Sequence, residues 1–323
     1  MRDHPDKSRT ARVLSFILLL AALAVIALYI RAHEDSFRAV SGLSIRDGAF
    51  LFVLGVFTIA VNGLFLKTFA AKYQVELLAK EWFGLAVVTT MGNYLTPFSG
   101  GMIARAAYLN KRHNLSYSKF AMLSAANYLL VYLIIALAGI LLIGFSLSSA
   151  DSSRVLLLFF AMVAALILVL LRVKRVPMNG AHRYVDALNH ALQGWEEMMK
   201  DRILVAKILF LTAVNVSAGA LLFYVAFEAL GFPVAFTTAL LIYLITSFSL
   251  LINVTPGNLG VQEAVSSFAA AMLGAGADPG LMAALLIRGA MMAAAFTLGP
   301  LFGMLLAREM AENGTAGSTG GSH

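Results

Sequence analysis

The sequence predicts an all-α, polytopic α-helical membrane protein with about six full spans and two re-entrant broken helical hairpins, arranged as an inverted repeat. Composition is the first observation: of 323 residues, 60% are hydrophobic and 13% are charged, and the mean hydropathy is +0.83. Soluble domains are about half apolar and a quarter charged. The second observation is that apolar runs of about 20 residues match a hydrocarbon core of about 30 Å, whereas a barrel needs short alternating strands.

Six apolar runs are long enough for full spans. They cover residues 13–30, 50–66, 121–143, 155–171, 205–227 and 280–306. Basic residues in 1–12 precede the first run, which lacks a small-residue cleavage site, so we interpret it as an uncleaved span after a cytoplasmic N-terminus. We expect residues 13–308 to form a single membrane domain and 309–323, which are rich in Gly and Ser, to form a disordered tail.

Basic residues predict the orientation of the spans, because cytoplasmic loops are enriched in Lys and Arg. The stretches 67–80, 105–119 and 172–202 are rich in Lys, Arg or both, whereas 228–235 and 275–279 contain neither. Both termini are therefore predicted to be cytoplasmic. The net charge of +7 is explained by these loops and by contact with lipid headgroups, so no nucleic-acid partner is expected.

An internal repeat is indicated at an offset of 159 residues, which aligns LTPFSGGMI (95–103) with VTPGNLGVQ (254–262). The identities match Thr96 with Thr255, Pro97 with Pro256, and Gly101 with Gly260. The same offset aligns apolar spans, so the repeat halves are about 50–143 and 209–302. Their first spans run in opposite directions in the predicted topology. Inverted repeats with interrupted apolar segments are typical of transporters.

Two apolar segments, 82–97 and 236–256, end in polar sequence that contains proline. We expect each to enter the membrane, turn at Thr-Pro and return as a half-helix, over 101–119 and 260–274. Irregular backbone at that depth must be buried in protein or must line a wet cavity. The alternative for 236–256 is an ordinary span kinked by proline, since this segment is long enough to cross.

Glu263 and Arg288 are the candidate site charges of the second half. The charged residues from Val205 to Leu306 are Lys207, Glu228, Glu263, Asp278 and Arg288. The other three lie at span ends or in a short loop, whereas Arg288 lies about 12 Å into its span. Glu263 falls in the first turn of the returning half-helix, where the helix dipole favours negative charge. We predict that the two residues pair in the empty site; a purely structural pair is the alternative to a site for an ionic substrate or a coupling proton.

Arg105 is the third candidate charge, at the start of the other returning half-helix; an ordinary positive-inside charge is the alternative. Together with Arg288 and the helix N-termini it would form a region suited to phosphate. Neutral candidates nearby are Asn93, Thr96, Asn253, Thr255 and Asn258, which would otherwise only satisfy freed backbone groups. The residues expected to shape the two turns are Pro97, Gly101, Pro256, Gly257 and Gly260.

Residue types argue against several kinds of chemistry. The chain has no cysteine, its six histidines lack ligand spacing, and no Walker sequence, dinucleotide fingerprint or HExxH is present. We therefore expect no metal, no cofactor and no enzymatic activity. Residues 181–200 have apolar side chains at helical spacing, which predicts an amphipathic helix on the cytoplasmic surface.

The motifs PFSGGMIAR (97–105), TPGNLGVQEA (255–264) and LLIRGA (285–290) resemble the membrane domain of the lysylphosphatidylglycerol synthase, or flippase-like, family. The resemblance covers about residues 10–308. Gly101 and Arg105 match the first motif, but Ser99 and Met102 stand where Arg and Glu are common in the family. The resemblance implies that the protein moves an anionic or modified lipid, such as a phospholipid or a polyprenyl-phosphate-linked glycan, across the bacterial cytoplasmic membrane.

The same resemblance implies the partners. A membrane lipid is the expected substrate, and a separate glycosyltransferase or lipid-modifying enzyme is a second candidate partner. In aminoacylating members a soluble catalytic domain follows the membrane domain; only a short tail follows here, so no transferase is expected in the chain as given. Two alternatives stay open: a membrane enzyme or enzyme subunit with Glu263 as general base, and a non-transporting scaffold in which Glu263 and Arg288 are simply paired.

Overall fold

Ten α-helices and no strand make up the residues that the structure, a computed structural model, describes: 42–145, 151–172, 183–252 and 254–318. The helices are α1 (Ile45–Lys72), α2 (Ala79–Leu95), α3 (Gly100–His113), α4 (Tyr117–Phe145), α5 (Asp151–Arg172), α6 (Arg183–Met199), α7 (Arg202–Ala229), α8 (Phe236–Ser247), α9 (Val261–Met272) and α10 (Ala277–Ser318). Two short 3-10 helices, Phe248–Leu251 and Pro256–Asn258, lie between α8 and α9. The predicted all-α class is confirmed.

Five described helices are long and apolar enough to cross a membrane. They are Ile45–Lys72, Tyr117–Phe145, Ser153–Arg172, Arg202–Ala229 and Ala277–Glu309. Each contains one of the spans predicted between residues 50 and 306. The first predicted span, 13–30, and the N-terminal segment 1–12 lie outside the described residues. The helices extend past the apolar runs because helical hydrogen bonding continues into the polar residues at their ends.

Both segments that were predicted to be broken are interrupted helices. The 17-residue α2 ends at Leu95, and α3 begins at Gly100 after Phe98 and Ser99 adopt positive φ angles of 54° and 55°. In the second half, the 12-residue α8 ends at Ser247, well before Pro256. The second segment therefore does not form a single helix kinked at proline, which was the alternative.

The returning half-helices are shorter than predicted. The first was expected over 101–119, but α3 ends at His113 because Asn114 has a φ of 53°, a left-handed conformation that terminates helices. The second was expected over 260–274, and α9 covers Val261–Met272. The path of either hairpin through the membrane stays a prediction.

Helix lengths recur in the order that the proposed repeat requires. The first half has helices of 28, 17, 14 and 29 residues (α1 to α4), and the second has 28, 12, 12 and 42 residues (α7 to α10). In both halves a long helix is thus followed by two short helices and then by another long helix. The two-fold relation of residues 50–143 to 209–302 stays a prediction.

The described residues fall into two compact units. Unit 1 contains those within 1–60, 85–105 and 217–303, and unit 2 contains those within 61–84, 106–216 and 304–323. Both sequence motifs, 95–103 and 254–262, belong to unit 1. The residues of both motifs therefore lie within one compact unit.

The core of unit 2 explains the position of the amphipathic helix α6. Buried apolar residues from α1, α4, α6 and α7 form one cluster: Val61, Phe65, Leu123, Ala126, Leu130, Met198, Leu204, Ile208 and Leu211. In α6, Met198 is fully buried and Trp195 packs against this cluster. A Cβ at Gly194 would lie 2.3 Å from the Met122 carbonyl oxygen of α4, so the two helices are in close contact. The predicted helix exists, and its residues Trp195 and Met198 pack on protein.

The last helix, α10, continues to Ser318. The disorder expected for residues 309–323 stays a prediction. The residues that follow Leu306 are Ala, Arg, Glu, Met, Ala and Glu, which are good helix formers and continue the preceding turn.

Candidate functional site

The loop of the second motif has a backbone that only glycine accommodates easily. Gly257 has a φ of 60° and Gly260 a φ of 86°, in the region that disfavours residues with a Cβ. A Cβ at Gly257 would also lie 2.3 Å from Cδ1 of Tyr94. Pro256 supports the turn, since its fixed φ suits the first position of the short 3-10 helix. These features explain the PGNLG sequence as loop geometry.

Glu263 and Arg288 form a buried ion pair in unit 1, as predicted from the sequence. Only 1% of Glu263 and 7% of Arg288 are exposed. The Arg288 Nε group donates to Glu263 Oε1, while Glu263 Oε2 accepts from the Gly260 amide at 2.8 Å. The Glu263 carboxylate thus lies in the first turn of α9 and caps it, as the dipole argument predicted.

The remaining N–H groups of Arg288 point to the loop of the second motif. Nη1 donates to the Gly257 carbonyl oxygen at 2.7 Å. Nη2 lies 3.4 Å from both the Asn258 carbonyl oxygen and Gln262 Oε1, which is longer than an ordinary hydrogen bond. The guanidinium also lies 5.8 Å from the centre of the Tyr94 ring, within range of a cation–π interaction. One arginine therefore holds the loop, and its Nη2 is the most weakly bound of its three nitrogens.

Polar side chains of the second motif mostly satisfy freed backbone. Thr255 Oγ1 donates to the Leu259 carbonyl oxygen at 2.8 Å. Asn258, only 1% exposed, donates from Nδ2 to the Ser249 carbonyl oxygen at 2.9 Å. Its Oδ1 has no hydrogen-bond partner among the described residues. The predicted residue Asn253 lies outside the described residues.

The first motif is a close contact between α2 and α3. A Cβ at Gly101 would lie 2.1 Å from the Thr89 carbonyl oxygen and 2.7 Å from Asn93 Oδ1. A Cβ at Gly92 would lie 2.9 Å from the Cα of Gly101. Glycine at these positions is what lets the two helix backbones approach. Pro97 lies in the turn between them.

Arg105 and Thr96 each donate a hydrogen bond within the first hairpin. The Arg105 Nε group donates to Thr89 Oγ1 at 2.9 Å. Thr96 Oγ1 donates to the Gly92 carbonyl oxygen at 2.6 Å, so it satisfies backbone at the end of α2. Asn93 Oδ1 is buried and lacks a hydrogen-bond partner within the described part of the chain. Arg105 and Arg288 are thus held by different segments.

Tyr94 joins the two motifs. It lies at the end of α2, one residue before the first motif, yet its ring packs on Gly257 and lies beside Arg288 of the second half. Tyr94 was not among the residues predicted from the sequence, and neither were Thr89, Ser249 and Gln262. An aromatic residue near the end of an apolar run is ordinary in a membrane protein, so no signal in the sequence marked it.

Comparison with known proteins agrees with the motif assignment. The model of the family described as "Lysylphosphatidylglycerol synthase TM region" matches residues 12–299, a range that includes both motifs and Arg288. No curated protein matches the chain.

Proposed function

From the premise that the chain belongs to the lysylphosphatidylglycerol synthase TM-region family, we propose that it is a lipid transporter of the bacterial cytoplasmic membrane, with both termini in the cytoplasm. The family relates the chain to membrane lipids, and the five long apolar helices make it a membrane protein. In the proposal its substrate is an anionic or modified lipid, such as a phospholipid or a polyprenyl-phosphate-linked glycan, and a separate lipid-modifying enzyme or glycosyltransferase supplies or consumes that lipid.

The observation that carries the proposal is the junction of the two interrupted hairpins at a buried ion pair. Tyr94, at the end of α2, meets Gly257 and Arg288, and Arg288 is held by Glu263. Transporters place substrate sites where interrupted helices meet. Buried charges within membrane segments are costly and commonly mark such sites.

The hydrogen bonds of Arg288 suggest how a phosphate binds. Its Nε and Nη1 groups are engaged by Glu263 and Gly257, whereas Nη2 makes two contacts of 3.4 Å with residues that the structure describes. A phosphate oxygen that approaches Nη2 replaces these weak contacts at little cost and leaves the ion pair in place. In the proposal, Arg288 therefore binds lipid phosphate while Glu263 continues to orient it.

A cleft in unit 1 has the mixed lining that an amphiphile needs. It has a volume of about 530 Å³ and lies between the first turns of α1 and the last turns of α7. Arg46, Asp47 and Glu228 contribute charge, while Phe50 and Val53 contribute exposed apolar surface. A lipid whose headgroup meets the charges and whose chain meets Phe50 and Val53 fits this cleft, which supports a lipid ligand.

An enzymatic role for Glu263 is less consistent with the geometry. A general base needs a free oxygen within reach of substrate. Both oxygens of Glu263 accept hydrogen bonds, from Gly260 and Arg288, and its exposed fraction is 1%. We therefore propose transport without chemical change to the lipid.

Reconstitution into vesicles tests the proposal. Head-labelled fluorescent phosphatidylglycerol is placed in both leaflets, and a membrane-impermeant quencher reports how fast inner-leaflet label reaches the outside. The protein should accelerate this exchange relative to protein-free vesicles, and chromatography of the lipids should show no new product. Equal rates with and without protein would contradict transport, and a new lipid product would indicate an enzyme.

Arg288→Lys tests the phosphate contact. Lysine keeps the positive charge but loses the planar fork, so transport should fall about tenfold, the equivalent of one charge-assisted hydrogen bond. Arg202→Lys, a change at an exposed position at the start of α7, is the matched control and should leave transport unchanged. Unchanged transport in Arg288→Lys would exclude the phosphate-binding role and leave the transport proposal standing.

A further inference from the structure

The cleft between α1 and α7 in unit 1 is lined by two charges of opposite sign that do not pair with each other. Arg46 lies in the first turn of α1, and Glu228 lies in the last turn of α7. Within the part of the chain that the structure describes, neither side chain has a hydrogen bond or an ion pair. The volume of about 530 Å³ is therefore bordered by a cation and an anion that are both available to a ligand.

The positions of these two charges do not stabilise their own helices. A helix carries a partial positive charge at its N-terminus and a partial negative charge at its C-terminus. Arg46 lies at the positive end of α1 and Glu228 at the negative end of α7, so the dipole of its own helix opposes each charge. Helix stability does not explain either residue, whereas binding of a charged ligand does.

The third charge of the lining, Asp47, has a structural role. The Ser44 hydroxyl donates to Asp47 Oδ2 at 2.6 Å, and the Asp47 amide donates to Ser44 Oγ at 3.1 Å. This reciprocal pair caps the start of α1, where the helix dipole favours a negative charge. Arg46 and Glu228 are therefore the two charges of the lining that a ligand can engage.

The polarity of the lining changes in the same order along both helices. Phe50 and Val53 lie one and two turns after Arg46 in α1, and Tyr224 lies one turn before Glu228 in α7. Residues four apart share a helix face, so each charge at a helix end is followed by an apolar or aromatic side chain further along the span. A phospholipid has the same order, with a charged headgroup followed by an acyl chain.

We propose that the cleft binds a zwitterionic phospholipid with a primary ammonium, of the phosphatidylethanolamine type. The planar guanidinium of Arg46 donates two hydrogen bonds to the phosphate, and the Glu228 carboxylate accepts from the ammonium. The acyl chain lies on Phe50 and Val53, which are 46% and 60% exposed.

The charges of the lining favour this headgroup over two common alternatives. One positive and two negative side chains give the lining a net charge of −1. An anionic headgroup pairs with Arg46 but leaves Glu228 unpaired and adds a negative charge beside it. A choline headgroup has the required positive charge, but its methylated nitrogen has no N–H group to donate to Glu228.

The inference concerns which headgroup the cleft holds, and it does not depend on transport of that lipid. A chain that binds phosphatidylethanolamine without moving any lipid would satisfy it and would still fail the vesicle test of the proposed function. A chain that transports lipid without this preference would do the reverse.

Photocrosslinking of the full chain in detergent tests the inference. A trace of phosphatidylethanolamine with a diazirine in one acyl chain should label the segment of α1 that contains Phe50 and Val53, which peptide mass spectrometry identifies. Unlabelled phosphatidylethanolamine, phosphatidylcholine and phosphatidylglycerol then compete with the probe. The first should halve the labelling at a concentration about tenfold lower than either of the others, the size expected for one hydrogen bond to a charged group.

Two substitutions assign the two halves of the headgroup. Glu228→Gln should remove the preference, so that phosphatidylethanolamine and phosphatidylcholine compete equally. Arg46→Gln should weaken competition by all three lipids about tenfold, because each contains a phosphate. Glu76→Gln and Arg202→Gln, the same changes at exposed positions outside the cleft, are the controls and should behave like the parent chain. Unfolding midpoints without added lipid check that every variant is folded.

Three results would overturn the inference. The first is equal competition by the three lipids in the parent chain, or stronger competition by phosphatidylglycerol. The second is a preference for phosphatidylethanolamine that persists in Glu228→Gln. The third is competition that Arg46→Gln leaves unchanged, which would mean that the labelled lipid lies on α1 without using the charges of the cleft.

Discussion

Arg288 and Glu263 lie 25 residues apart in the sequence and form an ion pair that is almost completely buried. The same arginine donates to the Gly257 carbonyl oxygen, and the same carboxylate accepts from the Gly260 amide. The pair therefore has two structural effects: it compensates two buried charges, and it holds the glycine-containing loop before α9 at Gly257 and Gly260.

Replacing Glu263 with Gln should destabilise the protein. The change leaves the Arg288 charge buried without a counter-charge, which costs about 3 kcal/mol in comparable cases. Thermal unfolding of the purified protein in detergent measures the effect. Glu228→Gln, a change at an exposed position, is the matched control and should alter the midpoint little.

A double substitution distinguishes the cost of leaving the Arg288 charge unpaired from the cost of losing the hydrogen bonds to the loop. Glu263→Gln combined with Arg288→Met removes the unpaired charge and should recover part of the lost stability. The Gly257 carbonyl and Gly260 amide still lose their partners, so recovery should be incomplete. A double variant no more stable than Glu263→Gln would contradict the assignment of the cost to the unpaired arginine.

Gly257→Ala should be more destabilising than Gly274→Ala. Both glycines have positive φ, 60° and 76°, so each alanine costs about 1 kcal/mol of backbone strain. Only at Gly257 does the new Cβ also meet the Tyr94 ring, at 2.3 Å; at Gly274 the space is open. Unfolding midpoints of the two variants provide the comparison, and adding Tyr94→Ala to Gly257→Ala should remove part of the difference. Equal midpoints for the two single variants would argue against the contact of the motifs through Tyr94.

Gly101→Ala and Gly144→Ala should have effects of opposite sign. At Gly101 the new Cβ would lie 2.1 Å from the Thr89 carbonyl oxygen, so α2 and α3 must separate. At Gly144, in α4, nothing lies within 4 Å, and alanine improves helix propensity by up to about 1 kcal/mol. Thermal unfolding measures both. If Gly101→Ala were as stable as Gly144→Ala, the close approach of α2 and α3 would be wrong.

Acid should weaken the start of α7 through Asp201. Its Oδ1 accepts from the Leu204 amide at 3.0 Å, and its Oδ2 pairs with Lys72 at 3.2 Å. The hydrogen bond from the Leu204 amide, followed by that from Lys72, holds the pKa of Asp201 below its usual value. A depressed carboxyl pKa stabilises the fold above the unfolded-state pKa, and this contribution is lost as pH falls through the folded-state value.

Asp201→Ser separates the cap from the charge. Serine also caps helices but does not ionise, so this variant should lose part of the stability change with pH at the acidic end while α7 keeps its cap. Asp201→Ala should lose both the helix cap and the part of the stability that depends on acid pH. Unfolding midpoints measured from neutral to acidic pH check this, and a Ser variant with the same acid dependence as the parent chain would contradict it.

Local patterns in the sequence were sufficient to predict several of these features. The five described long helices contain the predicted runs, because the length and apolarity of a segment decide whether it suits a membrane. Glu263 and Arg288 were predicted to pair, since each is an isolated charge in an apolar region. The helix breaks were predicted from Thr-Pro and glycine, although α8 ends earlier than Pro256 alone would require.

Other features depend on neighbours that are distant in the sequence. Tyr94 resembles an ordinary interfacial aromatic until its ring is found against Gly257. Glu81 of α2 and Tyr108 of α3 lie 27 residues apart, and nothing in the sequence indicates that the Tyr108 hydroxyl donates to the Glu81 carboxylate.

The sequence by itself determined the helical membrane class, the broken motifs and the existence of the Glu263–Arg288 pair, because hydropathy, helix breaking and the cost of a buried charge act on residues close together in the chain. The tertiary structure decided which groups those residues meet. It directed the N–H groups of Arg288 to the loop carbonyls, placed Tyr94 beside both motifs, and packed Trp195 and Met198 of α6 on protein. Such contacts follow from how helices approach one another, which no local pattern encodes.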